Sequence, residues 1–181
     1  MKPLAVVLSI LAAVSFIHAQ TVTDVEVVEF GTFHKTLSNG IYAAPNSIRG
    51  IAHDVVEATL IRETTTIPAA IGTSFGVRIK IVGDPIGAVV TFTGRCTHPR
   101  LTDPVSGRSS TTEEWACYPV IGRTAYIGWT FDDAWELVPG KWILQVFYGA
   151  KLVAKKEFDV MALQHASNHS KKPTRGLSYS R

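Results

Sequence analysis

In Phe75-Gly76-Val77-Arg78-Ile79-Lys80-Ile81 the apolar side chains fall at every second position and the two cations fall between them. A β-strand turns successive side chains to opposite faces, so this spacing predicts a strand with one buried and one wetted face, as antiparallel sheets have. A helix would scatter the same four apolar residues around its circumference. No long stretch sustains apolar spacings of three and four, which argues against a helix bundle, and no internal repeat suggests a solenoid.

Alternation recurs along the chain. Gly83-Asp84-Pro85-Ile86-Gly87 is turn chemistry, and Val90, Phe92 and Gly94 then lead along one face toward Cys96, so the two runs read as a hairpin. Trp142, Leu144, Val146 and Tyr148 alternate likewise, Gly149-Ala150 offers a two-residue turn, and Leu152, Ala154, Phe158 and Val160 continue beyond it. Lys151, Lys155 and Lys156 suit a strand near a sheet edge, where charge discourages mispairing. Residues 25–30 and 58–66 are rich in β-branched side chains, and shorter strands are expected over 115–120 and 124–130. The prediction is an all-β domain, a two-layer immunoglobulin-like sandwich of about seven antiparallel strands, because a single sheet would leave one apolar face in water.

The N-terminus carries one cation at Lys2, runs apolar from Leu4 to Ile17, and reaches Ala19 before polar Gln20. That pattern predicts a secretory signal peptide over 1–19, cleaved after Ala19, since a membrane-spanning helix needs about 20 apolar residues. The processed protein is expected to be periplasmic or secreted, with no transmembrane anchor. Residues 20–161 suit one domain, and 162–181 read as a basic, disordered tail rich in small polar residues. Cys96 and Cys117 are the only cysteines, and in an exported chain an even pair is expected to form one disulfide. It would tie the base of an exposed loop over 98–108.

Charge is unevenly spread. Lys2, Lys171, Lys172, Arg175 and Arg181 lie at the two ends, and setting those five aside leaves 13 of the 18 basic residues against 15 acidic ones. A slightly acidic body disfavours a nucleic-acid partner. The chain has no GxSxG elbow, no HExxH, no P-loop and no dinucleotide-binding glycine pattern. His165 and His169 are spaced as a metal pair only on an ordered helix, so neither a metal nor a cofactor is predicted. The first surface to inspect runs through Trp129, Asp132, Asp133, Trp135 and Glu136, because aromatic anchors beside carboxylates suit protein or glycan partners. The competing expectation is that Trp129 and Phe131 fill the core while the acids make a turn.

Glu63-Thr64-Thr65-Thr66-Ile67-Pro68-Ala69, Gly72-Thr73-Ser74-Phe75-Gly76 and Trp135-Glu136-Leu137-Val138-Pro139-Gly140-Lys141-Trp142 together resemble the signature segments of an uncharacterised family of small exported bacterial proteins, a domain of unknown function. The resemblance spans residues 25–160. It implies a β-sandwich of the bacterial envelope and carries no catalytic residue onto these positions. The expected function is an exported, non-catalytic binding or interaction module of the envelope, with an envelope protein or a glycan as partner. The alternatives are an enzyme or enzyme accessory acting on envelope polymers, and a structural subunit of an envelope assembly joined through a strand edge.

Overall fold

A computed structural model describes residues 20–163. The predicted signal peptide over 1–19 and the tail from 164 onward, with His165 and His169, lie outside the described residues. Within them, period-two alternation builds two facing sheets. The strands are β1 (Thr21–Ala43), β2 (Ile51–Arg62), β3 (Thr66–Ala69), β4 (Ser74–Asp84), β5 (Phe92–Thr102), β6 (Ser109–Cys117), β7 (Thr124–Thr130), β8 (Gly140–Tyr148) and β9 (Lys151–Ala162), with a 3-10 turn at Ala134–Glu136. One sheet has the order β2-β1-β4-β7 and the other β3-β9-β8-β5-β6. The sandwich is as expected, with nine strands instead of about seven.

Phe75, Val77, Ile79 and Ile81 are all buried, and they meet the inward residues of β8 and β9 across the gap. Phe75 is the hub, its ring centroid lying 5.2 Å from Phe158, 5.4 Å from Phe131 and 5.8 Å from Trp142. Trp142 has no exposed surface and donates its indole N–H to Val138 O at 3.1 Å, so its one polar group is satisfied inside the core.

Several expectations need correction. β4 and β5 are not a hairpin: β4 pairs with β1 and β7, whereas β5 pairs with β6 and β8 in the opposite sheet. Alternation fixes which face of a strand is buried, and both strands bury one, but it does not name the partner. The β8–β9 hairpin forms as expected, with Gly149 at φ 57° in its turn. The short β3 pairs with β9 in parallel, over Asp159 to Ala162 alone, and Lys151, Lys155 and Lys156 stand on the part of β9 that β3 leaves uncovered. The expected loop over 98–108 is shorter, because β5 runs on to Thr102 and β6 starts at Ser109. His98 and Leu101 are buried there.

The expected disulfide is absent, and both cysteines are free thiols. Cys96 lies opposite Glu113, whereas Cys117 lies opposite Phe92. Four positions along a strand separate the two by roughly 13 Å, far beyond the Cα separation of about 4.4–6.8 Å that a disulfide spans.

β1 serves two partners. Residues Thr21 to Phe33 pair with β4, and residues Thr32 to Ala43 pair with β2. The change of partner occurs at Gly31, whose φ is 139° and where a Cβ would stand 2.0 Å from Arg62 O; no other residue fits that approach. Beyond it, β1 and β2 form an arm. Phe33 at its root stacks on Tyr126 of β7 at 4.9 Å. Arg78 of β4 donates to Ala58 O and pairs with Glu29 at 3.2 Å. The arm's tip, residues 44–50, crosses to the other sheet. There Glu114 N–H donates to Asn46 O at 3.2 Å, Arg108 Nη1 donates to Ile48 O at 2.9 Å, and Ala44, Ser47 and Ile48 are buried.

Candidate functional site

Under the arm lies a cavity of about 740 Å³, bounded by β2 on one side and by β7 and the end of β6 on the other. Its volume falls within the range of about 300–1,000 Å³ typical of small-molecule sites. Six aromatic side chains line it: Tyr42, Trp115, Tyr118, Tyr126, Trp129 and Trp135. Trp115 and Trp129 pack against the core yet are only partly buried, unlike Trp142, because the open space keeps the core from closing over them. Trp115 lies across Gly94, where a Cβ would stand 2.7 Å from its Cε2. Only a residue without a side chain leaves room for that indole.

Behind this aromatic wall sits an acid–imidazole pair. Strand alternation places Glu113 on the same face of β6 as Trp115 and Cys117, and the carboxyl is 1% exposed. Its Oε2 accepts the N–H of Ile48 from the arm's tip. Its Oε1 stands 3.9 Å from Nε2 of His98, whose side chain has no exposed surface. The His98 ring lies 4.8 Å from that of Trp142 and 5.7 Å from that of Trp129. His98 Nδ1 is 2.8 Å from Pro99 O, which can only accept, so Nδ1 carries the hydrogen and Nε2 presents a lone pair. Burial pushes the Glu113 carboxyl up and the His98 imidazole down, holding both toward their uncharged forms. Burial and the neighbouring Glu113 also push up the Cys96 thiol.

Three buried polar atoms in this cluster have no partner: Glu113 Oε1, His98 Nε2 and Trp129 Nε1. Each such atom costs about 1–3 kcal/mol when left unsatisfied, and native interiors keep few of them. Glu113 and Trp129 border the cavity and His98 stands directly behind Glu113.

Of the residues singled out from sequence, Trp129, Asp132, Trp135 and Glu136 border this cavity, whereas Asp133 does not. Asp133 is exposed and pairs with Arg49 at 2.5 Å. Glu136 is buried and fully engaged. Its Oε2 accepts the N–H groups of Asp132 at 2.6 Å and Asp133 at 3.0 Å, and its Oε1 accepts two bonds from Arg49, each 3.2 Å. That arrangement caps the 3-10 turn and latches the arm's tip, with burial pushing the carboxyl up against the bonds that hold it down. The Arg49 guanidinium also lies 5.4 Å from the centre of the Trp135 ring. Phe131 has no exposed surface and belongs to the core.

Glu113, His98 and the arm's Tyr42 and Arg49 complete the site beyond those residues. The signal for two of them is positional: His98 continues the inward face through Phe92, Gly94 and Cys96, and Glu113 opens the face that Trp115 and Cys117 continue. A buried acid and a buried imidazole at core positions of two paired strands are what points to a site.

Among the described residues no three His, Cys, Asp or Glu side chains gather as a metal ion would require, and no helix is long and apolar enough to cross a membrane. A search of curated proteins found no match. Among solved structures the fold is similar to that of an immunoglobulin-like protein from Pseudomonas aeruginosa, with a TM-score of 0.55 and 26% sequence identity, covering 77% of this chain and 98% of that one. The resemblance carried by the three signature segments agrees with the family match: through residues 21–160 the chain belongs to the family described as Domain of unknown function (DUF3859).

Proposed function

We propose that this chain is an exported, non-catalytic binding module of the bacterial envelope that takes its ligand into the cavity beneath the β1–β2 arm. The observation that supports the reading is the cavity itself: an aromatic-lined space of about 740 Å³ whose wall holds buried polar atoms without partners. Its aromatic rings stand beside charged side chains of both signs, among them Lys35, Asp54, Glu57 and Arg123, so a guest would meet apolar surface together with polar groups that can orient it. Export rests on the signal-type N-terminus, and cleavage after Ala19 in fractionated cells is its test.

For binding, the processed protein is titrated with a soluble muramidase digest of peptidoglycan and with envelope protein extract, following tryptophan emission. Occupancy is expected to shift the spectrum, because three of the chain's four tryptophans line the cavity. Trp135→Ala is expected to keep the native circular dichroism and lose the shift. No response from either fraction, or an undiminished response in the variant, would remove the reading. The Glu113–His98 pair gives the enzyme alternative its one foothold, and turnover of the same digest would favour it.

A further inference from the structure

The cavity runs along the edge of a sheet. We infer that its ligand is an extended segment of a partner polypeptide, apolar at every second residue, which adds as a strand to the free edge of β7. This inference rests on the cavity being the binding site and specifies what enters it.

All seven residues of β7, Thr124 to Thr130, border the cavity. Successive side chains of a strand point to opposite faces, so a space that touches every one of them lies against the strand's edge. β7 ends its sheet, paired with β4, and among the described residues no backbone bond reaches its outer side. The other edges are guarded. Glu114 N–H of β6 donates to Asn46 O of the arm's tip, and β2 carries charges and an irregularity where its pairing with β1 shifts register. β3 is four residues long and contains Pro68, and Lys151, Lys155 and Lys156 stand on the part of β9 that it leaves uncovered. Thr124-Ala125-Tyr126-Ile127-Gly128-Trp129-Thr130 has neither charge nor proline, a composition that natural edge strands avoid when they face water.

A polypeptide backbone presents N–H and C=O groups at the spacing such an edge requires. The seven residues of β7 span about 23 Å, which sets the length of the segment. An added strand would continue the two faces of β7. On the face that Ala125, Ile127 and Trp129 share with Phe75, it would meet Trp115 and Trp129, whose rings lie 6.3 Å apart and are half-buried. Apolar side chains there would finish covering both indoles. The charged lining takes the other face. Arg78, opposite Tyr126 in register, pairs with Glu29 at 3.2 Å, and Arg49 is held by Glu136 and Asp133. The remaining charges, Lys35 and Arg123 against Asp54, Glu57 and Asp132, nearly cancel, with Glu113 held toward its uncharged form by burial. A lining of balanced sign favours neither a small anion nor a small cation, and it suits polar side chains of both signs at alternate positions of a strand.

The test uses the processed full chain with synthetic nine-residue peptides that alternate Val, Leu or Phe with Thr, Lys or Glu, beside the muramidase digest. Affinity is read by calorimetry, and backbone amide exchange followed by NMR locates the contact. The peptides are expected to bind and to slow the exchange of those amides between Thr124 and Thr130 that are not bonded to β4. A strand bonds to one neighbour through alternate residues, so N-methylation of alternate residues, made in the two possible phases, is expected to weaken binding at least about tenfold in one phase. Full binding by both methylated peptides, or protection confined to other strands, overturns strand addition. Binding of the digest with every peptide silent also overturns it and leaves the cavity reading standing. Silence from peptides, digest and envelope extract overturns both. Protection of the same amides before any peptide is added overturns the partner: if independent of concentration it assigns the edge to this chain's own residues beyond 163, and if dependent on concentration, to a second copy.

Discussion

Replacing Glu113 by Gln removes an ionisable group from the inner wall while keeping its shape. The side chain is 1% exposed and its free oxygen is 3.9 Å from His98, so little rearrangement is open to it. The amide oxygen can accept the Ile48 N–H in place of Oε2. The loss is then at most the difference between a charged and a neutral acceptor, about 1 kcal/mol, and falls toward zero as far as burial keeps the carboxyl uncharged, while the variant no longer buries an ionisable group. At pH 7 the net change is expected to stay within about 1 kcal/mol, or about 4 °C in Tm for a domain of this size. Burial raises the folded-state pKa of Glu113 above its ordinary value of 4.5. Its contribution to stability is therefore fully present below pH 4.5 and is lost as pH rises through the folded-state pKa. Acidification should thus shift the difference between the two proteins in favour of the wild type. Urea unfolding followed by tryptophan fluorescence at pH 7 and at pH 4.5 measures both quantities. A loss of about 3–5 kcal/mol at pH 7 would refute the reasoning, since that is the cost of stranding one partner of a buried ion pair. Glu113 would then be a carboxylate held by an imidazolium.

Three further outcomes are expected. Trp142→Phe loses the bond to Val138 O and part of the core volume, and should cost about 2–3 kcal/mol in denaturant unfolding; a neutral result would mean that the indole is not the centre of the core. Gly31→Ala places a methyl 2.0 Å from Arg62 O at a φ of 139°, so it should destabilise by more than about 1 kcal/mol and open residues 32–62 to limited proteolysis, and an unchanged digestion pattern would count against that close approach at the change of partner. Both thiols should stay unreactive in the native protein, where burial pushes Cys117 up to about 12 and Cys96 further, and both should react after unfolding, with reductant leaving Tm unchanged. A peptide map joining Cys96 to Cys117 would contradict the strand register.

What was legible in the sequence was set by alternation where one face is dry and the other wet. β4, β7, β8 and β9 read correctly for that reason, and so did the sandwich. Pairing was not legible, because a buried face at Phe92 and one at Phe75 look alike whether the strands are neighbours or face each other. The arm was read only at the end of β2, where 58–62 falls within an expected strand; the rest was missed because it is wetted on much of both faces, with Leu37, Ile41, Ile51 and Val56 all exposed, so no period emerges. Within the site, Trp129, Asp132 and Trp135 reach the cavity, while Glu136 turned inward once Arg49 and two backbone N–H groups were available to it. His98 was hidden by Pro99 and the polar residues after it, which imitate a loop. The cysteines misled for a similar reason: an even count says nothing about how far apart the register sets them.

The arm's fastening has a consequence for when the molecule can first hold a guest. Its tip meets Glu113 across 65 positions of chain and Glu136 across 87. No fragment ending before the 3-10 turn can enclose the space, and contacts between such distant positions form late in folding. The chamber therefore comes into being only after the chain through Glu136 has folded, and whatever fills it must be encountered where that happens, not carried there by a shorter, half-made chain.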